Sequence, residues 1–168
     1  KLKVLACSWS NNVHKGFQEI ADFSELDNIE VNFVGNWCDH IKKKNVNISP
    51  PVKQDELAGI YRKHHIFLFP SKNEPCSNAV IEALSSGLPI IYHDSGGTPE
   101  IAGKYGVKIS RENLALTLNE IKEKYNELTE KIIQDRYRFS IARASKEYIS
   151  VFRLLKARRE NNVFSHKK

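Results

Sequence analysis

Short apolar runs alternate with helical patterns through most of the chain. Residues 2–7 (LKVLAC) form a first apolar run and predict a strand. Over residues 16–26, Phe17, Ile20 and Ala21 recur at helical spacing, joined by Phe23 and Leu26. Residues 29–34 (IEVNFV) alternate apolar and polar positions up to Gly35 and predict a second strand. A short third strand over 46–48 is stopped by Pro50 and Pro51, and Leu57, Ile60 and Tyr61 then predict a helix over 54–63. Residues 66–69 (IFLF) are apolar without alternation, the pattern of a strand buried on both faces, and residues 89–92 (PIIY) read the same way. Between them, residues 77–86 predict a helix closed by Gly87. A helical turn over 99–103, a short strand over 107–109 and two long helices over 111–130 and 132–159 complete the pattern.

Strands alternating with helices, with the inner strands wholly apolar, predict an α/β fold: a Rossmann-like three-layer domain with a parallel sheet. Ligands of such sheets bind beyond the carboxyl ends of the strands. The loops after Cys7, Gly35, Ile48, Pro70 and Tyr92 are therefore expected to open on one edge.

The composition narrows the class. A chain of 168 residues suits one compact domain, and 40% hydrophobic with 27% charged residues excludes a disordered, collagen-like or disulfide-scaffold chain. No apolar run approaches the roughly 20 residues that span a bilayer. Cys7, Cys38 and Cys76 are odd in number and widely spaced, with no C-x-x-C, so neither a zinc ribbon nor a dithiol site is written here. A reducing, cytoplasmic setting with free and mostly buried thiols is expected. The chain contains no Met, even at position 1, and its start lacks the layout of a signal peptide, so a fragment of a longer protein is expected.

Charge is unevenly spread. Residues 135–168 hold ten basic and three acidic residues, a charge of +7, which leaves residues 1–134 at −1 within a total of +6. The reading is a near-neutral body over 1–134 followed by a basic amphipathic helix over 135–168. Tyr137, Ile141, Ala144, Tyr148, Phe152 and Leu155 give that helix one apolar stripe. The stripe is expected to pack on the body or on a domain outside this chain. Its basic side suits an anionic lipid surface or simply a solvated face; no RNA-reading or zinc-finger pattern accompanies it, so nucleic acid is not expected.

The loop after Pro70 carries the most chemistry. It enters the helix at Ser77, a good N-cap, and so exposes the backbone N–H groups of Asn78, Ala79 and Val80, which with the helix dipole favour a phosphate. Glu74 precedes the helix, and Glu82, in its second turn, points away from the Val80–Ala83 face. Two carboxylates flanking an anion site suit hydroxyls, because ionised carboxylates only accept hydrogen bonds. The plainer reading is a pair of acidic residues stabilising a helix N-terminus.

From Glu74 the order is Glu, seven residues, Glu82-Ala83, then Ser86-Gly87-Leu88-Pro89 and Asp94-Ser95-Gly96-Gly97-Thr98-Pro99-Glu100. This series, with the strand pattern from Lys1 to about Ser110, resembles the C-terminal, donor-binding half of the GT-B glycosyltransferases of family 4. Those are retaining enzymes that use nucleotide sugars without a metal. The resemblance implies that Glu74 contacts the hydroxyls of the donor sugar, that Glu82 holds the ribose hydroxyls, and that amides around Ser77, Asn78 and Ala79 meet the diphosphate. Lys15, followed by Gly16, takes the position of a diphosphate cation, which suits a leaving group that gains negative charge. Glu74 and Lys15 are thus the expected catalytic pair, and the base is expected against Pro51 or Val52. The implied partners are a nucleotide-sugar donor and an absent N-terminal acceptor domain. The implied activity is a hexosyl transfer in polysaccharide synthesis to a glycan, lipid-linked or other acceptor, with this chain inactive alone and, if membrane-associated, peripheral at the cytoplasmic face.

One departure stands out. Family members often place Gly-Arg-Leu shortly before Lys-Gly, whereas this chain has Ser8-Trp9-Ser10-Asn11-Asn12-Val13-His14. Either Ser10 or Asn11 replaces the missing Arg as a donor, or Lys15 meets most of the phosphate charge. The six His residues form neither H-x-x-x-H nor H-E-x-x-H, no Asp-x-Asp is present, and Gly-x-Ser-x-Gly is absent. Ser95-Gly96-Gly97 reads either as a turn requiring positive φ or as a ligand-lining loop. Trp9 and Trp37 are candidates for stacking or for burial. A non-catalytic α/β module that binds a membrane or protein through its basic helix is the competing class, and a sugar phosphorylase or nucleotide-sugar epimerase of the same fold is a third.

Overall fold

A computed structural model describes residues 1–110 and 112–165; Arg111, the expected start of a long helix, and His166, Lys167 and Lys168 of the basic tail lie outside the described residues. Six strands form one sheet: β1 (Leu2–Ser8), β2 (Ile29–Gly35), β3 (Asn47–Ser49), β4 (Ile66–Phe69), β5 (Ile90–Tyr92) and β6 (Gly106–Lys108). The order across the sheet is β3-β2-β1-β4-β5-β6, and every pairing is parallel. All strands therefore end on one edge, as the alternating pattern implies, and the order reverses between β1 and β4.

The inner strands divide their side chains between two cores. Val4, Ala6, Ile66, Leu68 and Ile91 point to one face, where Phe17, Ile20 and Phe23 of α1 (Phe17–Phe23) and Leu118 and Ile121 of α5 (Leu114–Glu123) cover them. Leu5, Cys7, Phe67, Phe69 and Ile90 point to the other, under Leu57 and Tyr61 of α2 (Gln54–Tyr61), Val80, Ala83 and Leu84 of α3 (Asn78–Ser85) and Ala102 of α4 (Thr98–Ala102). Burial on both faces is why residues 66–69 lack alternation. The helix α6 (Tyr125–Gln134) supplies Leu128 to the first core and Ile132 to the second.

The C-terminal third departs from the two long helices expected over 111–130 and 132–159. Asn113 caps α5 by accepting from the Ala115 N–H at 2.9 Å, and the chain bends at Lys124 (φ −88°, ψ 0°) before α6. A second break follows. The Tyr105 hydroxyl donates to Asp135 at 2.6 Å, and its ring packs edge-on against Phe139 at 5.1 Å. That anchorage holds residues 136–139 in a 3-10 turn, so Tyr137 belongs to the turn and not to the helical stripe. Ser140 is extended (ψ 145°) and its hydroxyl accepts from the Arg143 N–H at 3.2 Å, starting α7 (Ile141–Ser165). The stripe on α7 is open: Ile141 is 86% exposed, Tyr148 66%, Phe152 62% and Leu155 56%. Among the described residues no helix is long and apolar enough to cross a membrane.

Gly35 fixes where β2 ends. Its φ of 134° is rarely open to residues with a side chain, and a Cβ there would overlap the Ser8 carbonyl oxygen at the end of β1. Gly35→Ala is expected to lower stability by at least about 2 kcal/mol, because strain and backbone overlap add. Gly59→Ala, inside α2 with open space at its Cβ, is expected to raise it by up to about 1 kcal/mol. Urea unfolding of both variants checks the contrast, and equal midpoints would refute it.

Candidate functional site

The loops after β1 and β4 meet at the point where the strand order reverses. The Lys72 N–H donates to the His14 carbonyl at 2.9 Å, and the Ser71 hydroxyl faces the same oxygen at 3.5 Å. This fastening brings Lys15 and Glu74 into an ion pair between two half-buried side chains, with the Ser71 hydroxyl donating to the same carboxylate at 3.2 Å. The two residues expected to act together, 59 positions apart in the chain, thus touch.

A third loop supports them. The Asn73 N–H donates to the Ser95 hydroxyl at 2.9 Å, that hydroxyl donates to Asn73 Oδ1 at 3.0 Å, and the Gly97 N–H donates to the Glu74 carbonyl at 2.8 Å. A Cβ at Gly96 would strike the Glu74 backbone, and one at Gly97 the Pro75 carbonyl. Gly96 has φ 62°, so Ser95-Gly96-Gly97 is a turn built to lie against the Glu74 loop.

The helix start behaves in part as expected. The Ser77 hydroxyl caps α3, but it accepts from the Val80 N–H at 3.4 Å, which takes that group out of the set expected to be free. The N–H groups of Asn78 and Ala79 have no hydrogen-bond partner among the described residues. On the next turn, Glu82 is half-buried and its Oε2 lies 3.4 Å from the Tyr61 hydroxyl. Glu82 and Asn78 line a groove of about 830 Å³ between α2, α3, α4 and the start of α7, together with Leu57, Ile101, Phe139 and Tyr148. Lys15 and Glu74 are not on its wall. Of the two carboxylates, Glu82 lines this groove and Glu74 is held at the loop after β4 by Lys15 and Ser71.

The remaining candidates are scattered. The Ser10 hydroxyl accepts from the Asn12 N–H at 3.2 Å inside the loop after β1, and Asn11 is exposed with no hydrogen bond among the described residues. Pro51 is exposed, while Val52 is half-buried against the core that holds Leu57 and Tyr61. Trp37 is structural, packed at 5.1 Å against both Phe17 and Phe33 with its indole N–H donating to the Ile41 carbonyl. Trp9 is exposed in the loop after β1.

Two clusters escaped the sequence reading. In the first, Glu19 accepts from Lys72 Nζ at 2.9 Å and lies 3.2 Å from His93 Nε2. Burial opposes ionisation of Glu19, but hydrogen bonds from Lys72, its own backbone and His93 outweigh it and hold the carboxyl below its ordinary range. The second joins Cys7, Tyr61 and Glu82; burial pushes the Cys7 thiol up to about 12. The first carried a faint signal, an acidic residue in the first turn of α1; the second had none, since Tyr61 and Cys7 read simply as apolar positions.

A parallel sheet of this order, covered by helices on both faces, is a Rossmann-like α/β domain. The profile of the family described as glycosyl transferases group 1 matches residues 10–129, and the chain belongs to that family. It is 30% identical over 154 residues to a probable sucrose-phosphate synthase of Thermosipho melanesiensis, covering 86% of this chain and 36% of that protein. It is 25% identical over 132 residues to a GDP-mannose-dependent alpha-mannosyltransferase of Mycolicibacterium smegmatis, covering 76% and 34%. Its fold matches the sucrose-phosphate synthase of Thermosynechococcus elongatus with a TM-score of 0.73 at 17% identity, over 93% of this chain and 46% of that one. The matched region thus spans about a third of the length of these curated relatives.

The Glu19 cluster sets a pH test. A carboxyl lowered in the fold contributes stability that is present above the ordinary value of 4.5 and is lost as the pH falls through the lower folded value. Glu19→Gln is expected to be less stable than wild type at neutral pH, with the difference closing below about pH 4.5. Thermal unfolding at several pH values measures this; a difference independent of pH contradicts it.

Proposed function

We propose that this chain is the donor-binding domain of a retaining glycosyltransferase, which moves a hexosyl group from a nucleoside diphosphate sugar to a glycan, lipid-linked or other acceptor. The observation that carries the reading is the Lys15–Glu74 pair at the switch point, within a member of the glycosyl transferases group 1 family. Beside it the unpartnered Asn78 and Ala79 amides begin a helix whose dipole favours anions. Lys15 turns from Glu74 to the diphosphate and stabilises the charge that develops on the leaving group, while the amides share it. Glu74, released, accepts hydrogen bonds from the sugar hydroxyls. Glu82 accepts hydrogen bonds from the ribose hydroxyls, and the base rests against Pro51 or Val52.

Lys15 and the helix amides meet the diphosphate, in keeping with the metal independence that the family resemblance implies. On the loop where the family resemblance implies an Arg, either Ser10 or Asn11 serves as a neutral donor to the same group, or Lys15 meets most of its charge. The acceptor is supplied by a second domain outside this chain, which alone binds the donor and turns over little.

A second reading rests on α7. Its open apolar residues stand with Arg143, Lys146 and Arg153 on an exposed helix, a surface suited to anionic lipid headgroups or to a protein partner. Cosedimentation with phosphatidylserine vesicles is expected to be lost on charge reversal at Arg143 and Arg153, and its absence in wild type excludes the lipid form of this reading.

Calorimetry with UDP, GDP and ADP tests the principal reading. At least one is expected to bind, Lys15→Ala to weaken it by about tenfold or more, and Glu74→Gln to leave it unchanged or tighter because Lys15 is freed. Glu74→Gln should also abolish any gain in affinity from the attached sugar. The absence of binding by all three at millimolar concentration sinks the proposal.

A further inference from the structure

The geometry points to Tyr61 as a positioning residue that holds the Glu82 carboxylate for the ribose hydroxyls. This rests on the reading above in which Glu82 accepts those hydroxyls. Tyr61 closes α2 and is 1% exposed, with its ring set edge-on to Phe67 at 5.5 Å. Its hydroxyl lies 3.4 Å from Glu82 Oε2, 3.3 Å from the Ala79 carbonyl and 3.5 Å from Cys7 Sγ at the end of β1. Burial keeps both the thiol and the phenol protonated at neutral pH. The thiol, the phenol and the carboxylate therefore form a chain of contacts running outward from the sheet, in which the phenol proton reaches both the Ala79 carbonyl and the Glu82 carboxylate.

Among the described residues no other group makes a hydrogen bond to the Glu82 carboxylate, so Tyr61 is the contact that selects among its rotamers while Oε1 stays open to a ligand. A glutamate on an exposed helix face samples several rotamers and must give up that freedom to grip a diol. A carboxylate already held at one oxygen has lost most of it before the ligand arrives. The phenol thus links Cys7, in β1, to a residue on the second turn of α3. The competing role is purely structural, because a buried tyrosine hydroxyl needs a partner and the Ala79 carbonyl alone can serve.

The two roles separate in the ratio of affinities for a ribonucleoside diphosphate and its 2′-deoxy counterpart. The measurement is titration of the 168-residue chain with UDP, GDP and ADP and with dUDP, dGDP and dADP. Wild type is expected to prefer the ribose form, and Tyr61→Phe to weaken that form by about fivefold to tenfold while leaving the deoxy form unchanged. Glu82→Asp keeps Tyr61 and the core intact but withdraws the carboxylate by one methylene, and is expected to give the same loss of preference. In a Glu82→Ala background the further change Tyr61→Phe should have no effect. A preference retained in both Tyr61→Phe and Glu82→Asp, or an equal loss for ribose and deoxyribose forms, overturns the positioning role. If Tyr61→Phe does not fold, Glu82→Asp and the wild-type preference decide. A preference unchanged by Glu82→Ala, absent in wild type, or unmeasurable because nothing binds overturns the Glu82 reading itself and this inference with it.

Discussion

Backbone lies directly against backbone along the carboxyl edge of this sheet, and the placement of every polar group there follows from that closeness. Gly35 sits under the end of β1, and Gly96 and Gly97 sit under Glu74 and Pro75, each at a spacing that any Cβ would break. The Lys72 N–H to His14 carbonyl bond and the Gly97 N–H to Glu74 carbonyl bond then stitch three loops into one surface. Lys15 and Glu74 meet because the main chains that carry them are fixed before their side chains choose rotamers. A ligand group arriving at such a surface meets partners whose ordering entropy has already been spent in folding.

Charge is arranged in the same spirit. The body of the chain is nearly neutral, yet its edge holds cations that already own a carboxylate: Lys15 with Glu74, and Lys72 with Glu19. In the first pair both side chains are half-buried, and in the second Glu19 is, so losing the partner without a substitute leaves a partly desolvated charge that costs more than an exposed one. Anion binding at this edge is therefore an exchange of partners, not the filling of an empty positive patch. That arrangement favours ligands carrying both an anion for the lysine and hydroxyls for the displaced carboxylate.

The alternation of apolar runs was enough to read the sheet, its burial on both faces and the common direction of its loops, because a strand such as 66–69 has no other use for four consecutive apolar residues. Lys15, Glu74 and the Ser77 cap were legible through motif order. The groove wall was not: Glu82 was separable from the apolar face of α3 by helix geometry, but its neighbour Tyr61 read as a core residue, because period and hydrophobicity do not report what a buried hydroxyl faces. The helix breaks at Lys124 and at 135–140 were also hidden. Neither carries Gly or Pro, and the second depends on Tyr105, a contact some 30 residues distant, which no local pattern contains. The Glu19–Lys72–His93 cluster was missed for a related reason, since its members come from three separate elements.

Ser140 is one extended residue between an anchored turn and a helix of 25 residues. At about 1.5 Å per residue that helix is roughly 37 Å long, so a rotation of about 10° at its root carries its tip about 6 Å. The root is tied, through Phe139 and Asp135, to Tyr105 immediately before β6. In mechanical terms α7 is a lever with its fulcrum on the core: small angular adjustments of the body are read out as large translations at a distance, and whatever grips the far end gains leverage over the sheet.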